Sequence, residues 1–251
     1  MIEFTGVTRR YGAKVAVDGL DLLVPRGELF ALLGPNGAGK TTTIKLLVGL
    51  LRASSGSVRV AGHDLASDPR GALVHLGYVP DEPALYDKLT GGEFLRFIAD
   101  MFGMKPDVAA RRIAAEIATF ELEGFVDELA ESYSLGMRQR LVFAAALLHD
   151  PDVLVLDEPM VGLDPRSVRI VKDMLRRRVA AGMTVFMSTH TLAMAEEMAD
   201  RVGIMVRGRL RFLGTVAELR GRCPPGCGEE GANLESLYLA LTAEAAGGAE
   251  P

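Results

Sequence analysis

The hydrophobic pattern of this chain changes period twice. Over residues 2–60 apolar positions alternate, or run in short bursts between turn signals, as β-strands do. Strands are expected at 2–7 and 15–24, the second interrupted at Asp18-Gly19, with a turn at Tyr11-Gly12 between them. After the turn Pro25-Arg26-Gly27-Glu28, the continuous apolar run 29–33 predicts a buried strand. A helix is expected over 43–51 and an alternating strand over 57–60, and residues 72–79 form an apolar stretch that ends at Pro80-Asp81-Glu82-Pro83. From Thr90 the spacing becomes helical: Phe94, Phe97, Ile98 and Met101, then Ile113, Ile117 and Phe120 after a break at Pro106. Residues 85–149 therefore read as mostly helical. Beyond them strand and helix alternate: a buried strand over 152–156, a basic amphipathic helix over 165–180, a strand over 183–188 and a helix over 192–200. A hairpin turned at Gly208 and a short helix from Val216 follow.

One motif gives this pattern its chemistry. Gly34-Pro35-Asn36-Gly37-Ala38-Gly39-Lys40-Thr41-Thr42 has the form G-x-x-x-x-G-K-[ST], between a predicted buried strand and a predicted helix. Glycines without Cβ atoms let backbone N–H groups close around phosphate oxygens, and the helix N-terminus adds partial positive charge. Lys40 suits the β- and γ-phosphates, and the Thr41 hydroxyl suits Mg²⁺. The fold predicted is α/β: a P-loop NTPase core with a mostly parallel sheet, an N-terminal antiparallel β subdomain and an inserted helical subdomain. The core and antiparallel subdomain are expected over 1–84 and 150–220, and the helical insert over 85–149. Residues 221–251, where composition shifts to Gly, Pro, Glu and Ala, are expected to be a partly disordered C-terminal extension with one helix near 234–241.

Other residues join the motif. Val153-Leu154-Val155-Leu156-Asp157-Glu158-Pro159 is an apolar strand ending in two acids, and a parallel strand delivers its C-terminal residues to the ligand edge of the sheet. Asp157 there can hold Mg²⁺, and Glu158 can orient or deprotonate the attacking water. His190 closes the next strand at the same edge, which points to the γ-phosphate. Tyr133-Ser134-Leu135-Gly136-Met137 opens a further helix, with Ser134 as N-cap and a glycine that lets the backbone approach an anion. A single phosphate loop has no need of a second such helix start, unless it serves ATP bound to another subunit.

Composition narrows the class. The 251 residues are 49% hydrophobic and 24% charged, with a net charge of −5, so nothing argues for nucleic-acid binding. No apolar run approaches the ~18 residues of a membrane span, and the N-terminus does not read as a signal peptide. The expected place is the cytoplasm, peripheral on the inner face of the membrane through a partner. Cys223 and Cys227 are the two cysteines, too few for a metal site, and read as free thiols in a loop.

Taken in order over residues 1–220, these motifs resemble the ATP-binding subunit of ABC transporters, of the bacterial export type whose membrane domain is a separate chain. The resemblance implies that Tyr11 stacks on adenine, that Asp164 in Gly162-Leu163-Asp164 lies in a loop at the dimer interface, and that His190 senses the γ-phosphate. It implies homodimers or heterodimers formed head to tail around ATP, and a membrane-domain permease as partner. That permease is expected to dock near Leu85, Tyr86 and Leu89. Two positions depart from the family pattern. Asp81 stands where glutamine is usual, and is a candidate for Mg²⁺. Leu135 stands where the signature usually has glycine. The rival readings are a soluble ABC-type ATPase with a regulatory or remodelling role, and a degenerate nucleotide-binding module.

Overall fold

The computed structural model describes residues 1–221. The expected C-terminal extension beyond residue 221, with its helix near 234–241, and both cysteines lie outside the described residues. The chain runs through β1 (Ile2–Tyr11), β2 (Lys14–Val24), β3 (Leu29–Leu33), α1 (Lys40–Leu47), β4 (Ser55–Val60), β5 (His63–Asp64), α2 (Pro69–Leu73) and β6 (Leu76–Val79). The helices α3 (Gly91–Met101), α4 (Pro106–Phe120) and α5 (Leu135–Leu147) follow. The second half of the sheet brings β7 (Val153–Asp157), α6 (Pro165–Ala180), β8 (Thr184–Thr189), α7 (Leu192–Met198), β9 (Arg201–Val206), β10 (Arg209–Gly214) and α8 (Val216–Arg220).

Two sheets result. The alternating N-terminal strands form an antiparallel sheet in the order β2-β1-β4-β5. The buried runs form a six-stranded sheet in the order β10-β9-β3-β8-β7-β6, parallel except for the β9–β10 hairpin. Alternate residues of the central strands feed two cores. Phe30, Leu32, Val153, Val155 and Phe186 pack with the antiparallel sheet and α1. Leu29, Ala31, Leu33, Leu154, Leu156, Val185 and Met187 pack against the helical side, with residues of α5 and α6. Phe186 links the layers, its ring 5.4 Å from Phe30 and 6.2 Å from Phe4. Truncating such a ring costs about 3–5 kcal/mol.

Several boundaries differ from the sequence expectation. β1 extends to Tyr11 because pairing resumes after a register shift between Phe4 and Val7, where Gly6 takes a positive φ. α1 begins at Lys40 rather than Thr43, and ends at Leu47. The phosphate loop itself supplies its first turn, and Gly49 at φ +73 follows its end. α2 falls partly inside the stretch read as one apolar run. Asp68 caps it by accepting a hydrogen bond from Gly71 N–H, and Pro69 opens it.

Candidate active site

β3, β8 and β7 are adjacent and parallel, so their C-terminal ends reach one edge of the sheet. That edge carries the phosphate loop after β3, Asp157 and Glu158 at the end of β7, and His190 after β8. α1 starts there with Gly39 at φ 112 as N-cap, no side-chain cap and no acid in its first turn. Its first N–H groups are thus left for an anion. Gly34 and Gly39 also answer a packing demand. A Cβ at Gly34 would stand 2.4 Å from Met205 O, and one at Gly39 would stand 2.5 Å from Ala16 O.

A cavity of about 470 Å³ opens at this edge. Pro35, Asn36, Gly37, Gly39, Lys40, Thr41 and Thr42 of the loop line it, together with Asp81, Glu158, Tyr11, Lys14 and Ala16. Gly34 and Ala38 of the loop do not line it: Ala38 is buried, and the Gly34 carbonyl accepts a hydrogen bond from Lys40 Nζ at 2.7 Å. Lys40 Nζ also lies 3.8 Å from Glu158 Oε1. Burial pulls the Lys40 ammonium below the usual lysine range, against the pull of Glu158 and Asp157.

The two acids are held by a residue that the sequence pattern did not single out. Ser188 Oγ donates to Asp157 Oδ1 at 2.5 Å and accepts from Glu158 N–H at 3.1 Å. Glu158 sits at φ 47, a left-handed conformation that costs a non-glycine residue roughly 1 kcal/mol or more. Its Oε2 is met by His190 Nδ1 at 2.9 Å and by His190 N–H at 3.3 Å, which leaves Oε1 turned toward Lys40. Burial pushes the Asp157 carboxyl above its usual range, and Asp81 and Glu158 add to the rise. Asp157 Oδ2 is buried with no hydrogen-bond partner.

That orphaned oxygen allows a test of the fit to Mg²⁺. The Thr41 hydroxyl interacts with Asp157, and Asp81 lines the same cavity as Thr41. All are hard oxygen donors. Among the described residues no group of three or more His, Cys, Asp and Glu side chains could hold a metal alone. The oxygen donors of Thr41, Asp157 and Asp81 fit Mg²⁺, which binds through one or two carboxylates together with substrate phosphates.

The signature residues lie apart from this cavity. Ser134 caps α5, accepting from Met137 N–H at 3.3 Å. A Cβ on Gly136 would lie 3.6 Å from Asp164 Oδ2, so Gly136 and Asp164 are neighbours. Asp164 in turn caps α6, accepting from the N–H groups of Arg166 and Ser167. Leu135 is the first residue of α5 and has no positive φ.

The family model described as ABC transporter matches residues 17–161. This chain belongs to the ABC transporter family. It is similar to the daunorubicin/doxorubicin resistance ATP-binding protein DrrA of Streptomyces peucetius, 42% identical over 219 residues that cover 87% of this chain and 66% of that protein. It is also similar to the linearmycin resistance ATP-binding protein LnrL of Bacillus subtilis (strain 168), 36% identical over 222 residues that cover 88% of this chain and 71% of that protein. The chain thus spans about two thirds of the length of these curated relatives. A solved ATP-binding subunit of an ABC transporter superposes with a TM-score of 0.88 at 33% identity, covering 96% of this chain and 99% of the other. The fold is that of ABC ATPase subunits, and the activity class is ATP binding and hydrolysis.

Proposed function

We propose that this ABC subunit binds Mg-ATP in the cavity between Tyr11 and Glu158, and that two such subunits, paired head to tail, hydrolyse it to power export through a separate membrane-domain partner. The observation that carries the reading is the arrangement of Glu158: in a left-handed turn at the sheet edge, its Oε2 held by His190 and its Oε1 facing Lys40. An anion entering the loop offsets the burial that lowers Lys40, so its ammonium can leave the Gly34 carbonyl for the β- and γ-phosphates. Tyr11 offers a ring face to the base. Thr41, Asp157 and Asp81 are the residues that would hold Mg²⁺, which when bound offsets the charge of the phosphates.

Glu158 orients a water against the γ-phosphorus and takes its proton at Oε1. The new P–O bond forms as the bond to ADP breaks. His190 keeps Oε2 fixed during that transfer and lies on the side of the γ-phosphate. Ser134 and Gly136 of one subunit, with Asp164 beside them, serve the ATP held by the other. The resistance functions named for the relatives support export as the direction. Among the described residues no helix is long and apolar enough to cross a membrane, and the membrane path is assigned to the partner.

Glu158→Gln tests the reading. The variant should keep ATP affinity, lose hydrolysis by ~10²–10⁴-fold, and remain dimeric in Mg-ATP by light scattering, because a ligand that binds only the dimer stabilises it. A variant that stays monomeric and still hydrolyses ATP overturns it.

A further inference from the structure

We propose that Arg9 is a positioning residue for the nucleobase: it braces the Tyr11 ring and ties it to the segment beyond the phosphate-loop helix α1. The proposal rests on the reading of Tyr11 as the base-stacking residue. Tyr11 ends β1 and is 45% exposed, next to the turn into β2. Left to itself, such a side chain would have to be ordered when the nucleotide binds, and that ordering weakens affinity.

The structure shows what holds it. The Arg9 guanidinium lies over the Tyr11 ring, 4.7 Å from its centroid. Tyr11 lines the cavity and Arg9 does not; in this proposal the guanidinium backs the ring face that the base leaves free. Arg9 Nη1 donates to Arg52 O at 2.9 Å, so the brace is itself anchored, although its buried Nε has no hydrogen-bond partner among the described residues. Two further bonds fix the same junction: Arg10 N–H donates to Ser54 Oγ at 3.1 Å, and Ser54 N–H donates to Thr8 O at 2.7 Å.

The anchor matters because of where it leads. Arg52 and Ser54 lie in the segment that follows α1, whose N-terminus is the proposed phosphate site. Base platform and phosphate helix are therefore joined through one short stretch of backbone. A triphosphate held at one end finds the ring at a set distance from it. Lysine in place of Arg9 would keep a cation but lose the planar fork that can stack on a ring and donate sideways at the same time.

The test compares two probes on the purified full chain, ATP and inorganic tripolyphosphate, by calorimetric titration. Tripolyphosphate uses the phosphate loop but not the ring. Arg9→Ala should weaken ATP binding about three- to fivefold and leave tripolyphosphate binding unchanged. Arg9→Lys should fall between, and it keeps the experiment decisive where the alanine variant does not fold. In a Tyr11→Ala background, Arg9→Ala should have no further effect on ATP. Equal weakening of both probes shows that Arg9 acts on the fold as a whole, and overturns the proposal. So does ATP binding that is unchanged by Arg9→Ala while Tyr11→Ala weakens it. If Tyr11→Ala itself leaves the ratio of the two affinities unchanged, the stacking reading fails and the proposal with it.

Discussion

Replacing Leu135 by glycine tests whether the unusual signature disables a site. A leucine forced into a left-handed backbone would cost roughly 1–2 kcal/mol. Leu135 is instead the first residue of α5, outside the positive-φ region, and bears none of that cost. Its side chain is 49% exposed and rests on the loop before α6, where a Cβ at Gly162 would stand 2.3 Å from Leu135 Cδ2. Losing a half-buried leucine removes on the order of 1 kcal/mol, and glycine in a helix loses about another 1 kcal/mol. Leu135→Gly should therefore lower the melting temperature by several degrees. ATPase turnover of the purified dimer should stay within about threefold, a barrier change well under 1 kcal/mol. Steady-state phosphate release and a thermal melt measure the two quantities. A rise in turnover of tenfold or more, about 1.4 kcal/mol of barrier, refutes the reasoning and points to a heteromeric transporter with one slow site. Gly162→Ala supplies the converse. It should destabilise through both its φ of +75 and the clash with Leu135, and adding Leu135→Gly should recover only the clash.

Asp81→Ala should raise the Mg²⁺ concentration needed for half-maximal hydrolysis; an unshifted titration assigns Asp81 to the turn, where its Oδ1 accepts from Glu82 N–H at 3.0 Å. The docking expectation moves within its region, because Leu85 and Leu89 are half-buried and Leu85 packs on the core, whereas Tyr86 and Phe97 are exposed with rings 5.6 Å apart. Tyr86→Asp with Phe97→Asp should release the subunit from its membrane partner and leave basal ATPase activity intact, and undiminished copurification counts against it. Burial raises the Glu116 carboxyl above its usual range in spite of Arg178 at 2.6 Å, so the folded chain binds this proton more tightly than the unfolded one and loses stability as pH rises through the raised value. The melting temperature of Glu116→Gln, relative to the parent, should therefore be more favourable at pH 7.5 than at pH 4.5; the opposite trend sinks the argument.

The phosphate loop was legible because its chemistry is local: the residues that touch one another are neighbours in sequence. Asp157, Glu158 and His190 were legible for a second reason, since parallel strands end at a common edge and each of the three sits at a strand end. Ser188 was not. Its part depends on β7 and β8 being adjacent in register, with Asp157 opposite Ser188, and periodicity does not reveal which strands pair. Lys14 and Arg9 were missed on similar grounds. Lys14 reaches the cavity as the register partner of Tyr11 across the β1–β2 turn, and Arg9 reaches Arg52 across the chain. The start of α1 was placed late because Lys40, Thr41 and Thr42 were read as loop. All three line the cavity while their backbone already forms the first helical turn.

The two departures from the family pattern lie in different surroundings. At the start of α5 an anion would be met by backbone N–H groups and by the Ser134 hydroxyl, neither of which depends on the side chain at 135. A leucine with a helical φ leaves those donors in place and turns its methyl groups to Gly162. Position 81 is different, because Asp81 lines the cavity proposed for Mg-ATP. A carboxylate adds negative charge near Asp157 and helps raise its pKa, which makes the pair costlier to ionise until a cation joins them. We therefore expect Leu135 to be a substitution that the backbone absorbs, and Asp81 to change the charge that a bound Mg²⁺ would have to balance.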